Sequence, residues 1–301
     1  MFPDDPRDGE WSESGGGLPA DGASLPADEA VSTLPAVCLP TATPIARPVA
    51  ADADGLVPFL AYARPGFPVM RWWRALLEAA APLAAAVIST IVAAPVLLFW
   101  RPVDERWATV LMTAIGGLTA VLVCLGLLRL GKQPLGSIGW TARDLPLNVG
   151  IGVLAWVCTA MMLVVLGLIT TRLFPSVREQ QEHVAEAMEE TFPKMSLAAG
   201  AVFMAFVATW EEVAFRGFIL TRLRAVFKRW WLAIPIGSVM FGLCHLYEGP
   251  AGIVQVTLLG VVMGLLFWWR KSLVPGIVFH TINNVVAILL LNLWATQPTH
   301  S

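Results

Sequence analysis

The sequence predicts an all-α protein: a polytopic transmembrane bundle of seven to eight membrane helices behind a disordered N-terminal tail. Three observations lead there. Of 301 residues, 56% are hydrophobic and only 14% charged, against about a quarter charged in soluble domains. From Arg71 onward, apolar runs near the ~20 residues needed to cross a bilayer follow one another. The charges gather in the tail and between those runs, so the net charge of −2 describes no single surface. A lipid bilayer is the expected environment, and no nucleic-acid partner is expected.

Residues 1–62 hold nine Pro, six Gly and ten acids against Arg7 and Arg47, without helical or strand periodicity. That composition predicts a disordered acidic tail, leaving residues 63–301 as the transmembrane domain. The first residues lack the basic and apolar regions of a secretory signal. Cys38, Cys124, Cys158 and Cys244 have no metal-type spacing, and the last three sit in apolar runs where a thiol behaves as a small hydrophobe.

Seven spans are predicted, approximately Ala75–Trp100, Trp107–Leu128, Asn148–Thr171, Leu197–Leu220, Trp230–Tyr247, Ala251–Trp269 and Ser272–Trp294. Glu78, Pro82 and Pro95 fall within the first, which predicts a split or re-entrant segment. Between the third and fourth spans, the acid-rich Val177–Lys194 is expected to form an interfacial helix that carries His183 on a solvated face. Gly260 and Gly264 lie four apart on the sixth span, where they let a neighbouring helix approach closely. Twelve Lys and Arg flank the spans on one side and five on the other. The positive-inside rule then predicts a cytoplasmic N-terminus; a bacterial inner membrane is the expected location.

Ionisable side chains inside spans are the strongest functional pointers in such a protein. They are Glu211, Glu212 and Arg216 in the fourth span, His245 in the fifth and His280 in the seventh. Positions four apart share a helix face, whereas adjacent positions diverge by about 100°. Glu212 and Arg216 can therefore pair, which leaves Glu211 free to face a polar cavity. His280 shares a face with Asn284, and Phe241 with His245. A carboxylate and an imidazole holding one water can drive it onto a carbonyl carbon while nearby donors stabilise the oxyanion. Glu211 with His245 suits the first task, and His280 with Asn284 the second. Helix rise places the set near mid-membrane, in a cavity expected to open on the inner, basic side.

The segments "EEVAFR" (Glu211–Arg216), "FGLCH" (Phe241–His245) and "HTINN" (His280–Asn284) follow the patterns EExxxR, FxxxH and HxxxN. All three in order, on separate spans, resemble the CPBP intramembrane proteases, the family of the type II CAAX prenyl endopeptidases, also called the abortive-infection family. The resemblance covers a protease core of about residues 197–294. It implies a core of about eight helices and peptide cleavage in a cavity within the bilayer. Glu211 and His245 would activate water, His280 and Asn284 would form the oxyanion site, and Glu212, Arg216 and Phe241 would support them. The substrate would be a membrane-associated peptide or protein.

A metal-free glutamic mechanism is the expectation, with no cofactor, because Asn284 is a natural oxyanion donor and a poor zinc ligand. The alternative is zinc at Glu211, His245 and His280 with one position left open to water. HExxH is absent. Ser238 and Cys244 are expected to serve helix packing. Other functions for the same residues are a non-catalytic scaffold or bacteriocin-immunity protein of this fold, and a proton-coupled transporter.

Overall fold

The computed structural model describes residues 71–100, 105–174 and 195–295, with scattered positions between 176 and 193. The acidic tail with Cys38, His183 and most of the expected interfacial helix lie outside the described residues. Among those described, every regular element is helical. Helix α1 spans Trp72–Trp100, α2 Glu105–Leu130 and α3 Leu145–Leu173, with a 3-10 turn at Leu135–Ile138. Helix α4 (Leu197–Glu212) continues through a π-helical segment, Val213–Ile219, into α5 (Leu220–Phe227). Then come α6 (Trp230–Leu243), a 3-10 turn (Leu246–Glu248), α7 (Gly249–Arg270) and α8 (Val274–Ala295).

Five spans among the described residues are long and apolar enough to cross a bilayer, and α6 and the apolar stretch Val274–Leu290 are shorter. Each predicted run falls on one of these. Two features differ from expectation. First, α1 is one helix of 29 residues despite Pro82 and Pro95; a proline frees only one backbone bond, which packed membrane helices tolerate. Second, α6 stops at Leu243, so His245 is not inside a span but on the turn that follows.

Local chemistry sets the helix ends. Ser196 caps α4, its hydroxyl accepting from the Ala199 N–H at 3.3 Å. Lys228 and Lys271 close α5 and α7 in the left-handed region, at φ 61° and 54°. Between helices, small residues set the approach. Gly260 and Gly264 of α7 face Ser238 and Ile234 of α6, as the sequence predicted, while Gly152 brings α3 against Pro275 and Val278 of α8. Phe215, Phe218, Phe241, Met263, Phe267 and Phe279 fill the centre. On the outside, residues such as Val87, Ile91, Leu154 and Leu168 are exposed, as a surface against lipid requires.

Two polar clamps hold the bundle at the end bearing the Arg/Lys-rich helix termini. Arg222 has no exposed surface; it donates to Glu78 of α1 at 3.4 Å, to Gln133 at 3.2 Å and to Thr221 at 3.0 Å. Arg74 holds the other Glu78 oxygen at 3.0 Å. The second clamp runs from Arg270 of α7 to Asn148 of α3 at 2.8 Å, with Asp144 at 3.5 Å.

Candidate active site

Adjacent on α4, Glu211 and Glu212 face the two ring nitrogens of one imidazole, His280, and differ in what else they touch. Glu212 is 1% exposed and held at one oxygen: Arg216 Nη1 donates to its Oε1 at 2.7 Å, and His280 Nδ1 donates to the same oxygen at 3.2 Å. Arg216, itself 3% exposed, also reaches the Gly260 carbonyl at 3.4 Å. Its guanidinium lies over the Phe241 ring, 4.3 Å from the centroid, a cation–π contact that further offsets burial. Glu211 Oε2 is buried with no hydrogen-bond partner, and faces His280 Nε2 at 3.6 Å, beyond direct hydrogen-bond length. A buried carboxylate oxygen left bare is costly, and therefore informative.

Phe241 is the hub. Its ring meets His245 edge-on at 5.0 Å, His280 at 5.8 Å and Phe215 at 4.9 Å between centroids. His245 Nδ1 lies 3.0 Å from the Phe241 carbonyl; an oxygen can only accept, so Nδ1 carries the proton of that bond and Nε2 is the ring nitrogen it does not engage. The two imidazoles thus flank one phenyl ring. His245 forms no ion pair with Glu211 among the described residues; the imidazole closest to that carboxylate is His280. Asn284 stands one turn beyond His280 on α8, half-buried.

Two features missed in the sequence place these groups. The π segment begins directly after Glu212, and its widened turn is seen where the Leu220 N–H reaches the Phe215 carbonyl five residues back. Gly276 lets α8 close on the dyad: a Cβ there would lie 2.5 Å from Glu212 Oε2. Nothing in "VAFRGFI" signals a π turn, although the Gly four residues before His280 was a legible sign of close approach.

Other expected residues take these positions. Ser238 is buried and donates to the Ile234 carbonyl at 2.8 Å, a packing role. Cys244 is exposed at the end of α6 rather than packed, because the helix has already ended. Cys244, Leu246 and Tyr247 are exposed at the end of α6 away from Arg229. Among the described residues, no three His, Cys, Asp or Glu side chains stand together as a metal site. The chemistry below is drawn from the side chains alone.

All three segments, in this order and this arrangement, fall within one family model. Residues 193–286 match the family described as type II CAAX prenyl endopeptidase Rce1-like. The Rce1-like region runs from just before α4 to just past Asn284 and takes in the π segment and the α6–α7 turn. It supports a CAAX-type intramembrane protease, a hydrolase integral to the membrane. No curated protein and no solved structure matches the chain.

Proposed function

We propose that the chain is a glutamic intramembrane endopeptidase that cleaves a membrane-associated protein or peptide. The observation that carries this reading is the Glu211 oxygen without a hydrogen bond beside His280, next to a Glu212 already held by Arg216 and His280. Glu211 takes a proton from water, and His245, with Nε2 open, shares that water across the site rather than touching the carboxylate. The oxygen of the water bonds to the carbonyl carbon. His280, fixed through Nδ1 by Glu212, and the Asn284 amide stabilise the resulting oxyanion. Collapse breaks the C–N bond, and the proton taken from water passes to the leaving amine. Arg216, Glu212 and Phe241 hold this geometry. The bilayer and the peptide are its partners, and the reaction uses no metal or cofactor.

The distribution of Lys and Arg supports an orientation with the N-terminus in the cytoplasm, and a bacterial inner membrane is the proposed location. The experiment that tests the function compares protein termini in membranes carrying the full chain and its Glu211→Gln form. New termini that depend on Glu211 are the expected result. Proton flux into vesicles without peptide cleavage would instead favour a transporter, and a phenotype that survives Glu211→Gln would favour a scaffold or immunity protein.

A further inference from the structure

The end of the bundle that bears the basic helix termini holds a cluster that the reaction above does not use. Arg224 of α5 and Lys271, in the turn between α7 and α8, come from separate elements to one indole, that of Trp230 at the start of α6. The Arg224 guanidinium carbon lies 5.6 Å from the Trp230 ring centroid and Lys271 Nζ 5.0 Å. Lys271 also stands 5.7 Å from the Trp268 ring. Trp230 is buried and both cations are half-buried, so the charges are set into the surface rather than standing off it. Lys228 and Arg229, both exposed, directly precede Trp230.

Among the described residues the acids at this end are Glu78 and Asp144, and other arginines hold them. Glu78 accepts from Arg74 and Arg222, and Asp144 lies 3.8 Å from Arg143 and 3.5 Å from Arg270. Two cations brought to one ring repel each other, and an anion that meets both relieves more of that cost than it would beside either alone. The backbone adds a second observation. Lys132, Lys228 and Lys271, in the turns after α2, α5 and α7, take the left-handed region at φ 53°, 61° and 54°, which Gly or Asn adopts at less cost. A cation near a helix C-terminus gains from the dipole. That accounts for each lysine singly, not for Lys271 meeting Arg224 at one indole.

The level of the cluster in the bilayer is marked by its surroundings. Trp72, Trp73, Trp140, Trp231, Trp268 and Trp269 are exposed around this end, as indoles at the headgroup layer are. From Trp268, the exposed Leu265, Leu258 and Val254 follow one face of α7 at helical spacing, an apolar track leading into the hydrocarbon.

We propose that this cluster binds an anionic phospholipid, with the headgroup phosphate between Arg224 and Lys271 beside Trp230 and the acyl chains along α7.

The test uses the purified full chain in a neutral detergent. It is titrated with dioctanoyl phosphatidylglycerol, dioctanoyl phosphatidylcholine and inorganic phosphate, with bound molecules counted by native mass spectrometry and the unfolding temperature followed in parallel. One phosphatidylglycerol should bind about tenfold or more tighter than phosphatidylcholine and raise the unfolding temperature, and inorganic phosphate should do neither. Arg224→Gln with Lys271→Gln should bring the two lipids level, and Lys271→Gln alone should take the preference part of the way. Arg71→Gln with Arg129→Gln, which removes the same charge from the start of α1 and the end of α2, should leave the preference intact. Equal affinity for the two lipids, phosphate binding as tight as phosphatidylglycerol, or the same loss in both double variants overturns the proposal. Should the Arg224 variant unfold without lipid, Lys271→Gln and Lys271→Glu decide: a preference unmoved by both overturns it too.

Discussion

Arg216 donates to Glu212 at 2.7 Å from one turn along the same helix, and both side chains are almost wholly shut off from solvent. Breaking a buried pair strands a charge, at a cost of about 3–5 kcal/mol. Arg216→Leu should therefore lower the unfolding midpoint in detergent sharply and abolish cleavage. Arg216→Lys should lose part of both, since an ammonium cannot span Glu212, the Gly260 carbonyl and the Phe241 face together.

The neighbouring carboxylates should separate cleanly in mutation. Glu211→Gln removes the base while asking little of the fold, because that oxygen has no partner to lose. Cleavage should fall by about 10²–10⁴-fold or more with an unchanged melting temperature. Glu212→Gln should lower both, measured side by side on the same preparation. His245→Ala should match Glu211→Gln in activity.

Gly276 offers a test of geometry without chemistry. A methyl group there would press on Glu212 Oε2 at 2.5 Å, and overpacking of this kind costs about 1–3 kcal/mol. Gly276→Ala should push the carboxylate off His280 and reduce kcat more than KM, read from peptide hydrolysis curves.

The Glu78–Arg222 clamp predicts a non-additive pair. Glu78→Leu takes the carboxylate from the buried Arg222 and should destabilise by about 3–5 kcal/mol, whereas Arg222→Met should cost less, because Arg74 still holds Glu78 at 3.0 Å. The double variant should recover most of the Glu78→Leu loss in thermal unfolding.

Peptide cleavage by purified protein should be insensitive to chelators such as EDTA and 1,10-phenanthroline. Loss of activity restored by zinc would replace the carboxylate mechanism with a metal-assisted one.

What the sequence made legible was local. The pair Glu212–Arg216 follows from i,i+4 spacing, and so does the lack of that partner at Glu211, which lies about 100° round the helix. Hydropathy placed the spans because the bilayer length constrains them. The Glu78–Arg222 contact joins residues 144 apart, beyond any helical period, although Arg74 four residues before Glu78 hinted that the acid was held. His245 looked like a residue within a span because "FGLCHLY" stays apolar while the backbone turns; only the tertiary fit of α6 on α7, tight where Gly242 meets Thr257, sets the helix end. The partner of Glu211 was also hidden, since helix register says nothing about which of two imidazoles on other helices comes nearer.

The seven π-wound residues Val213–Ile219 carry roughly one residue more than an α-helix would over the same rise. Shortening that stretch by one would turn everything downstream by about 100°, swinging Arg222 off Glu78 or, if Arg222 stayed anchored, dragging the two acids away from α8. Length changes here are thus barred in a way point substitutions are not: the catalytic and anchoring halves of one membrane helix are kept in phase by a single surplus amino acid.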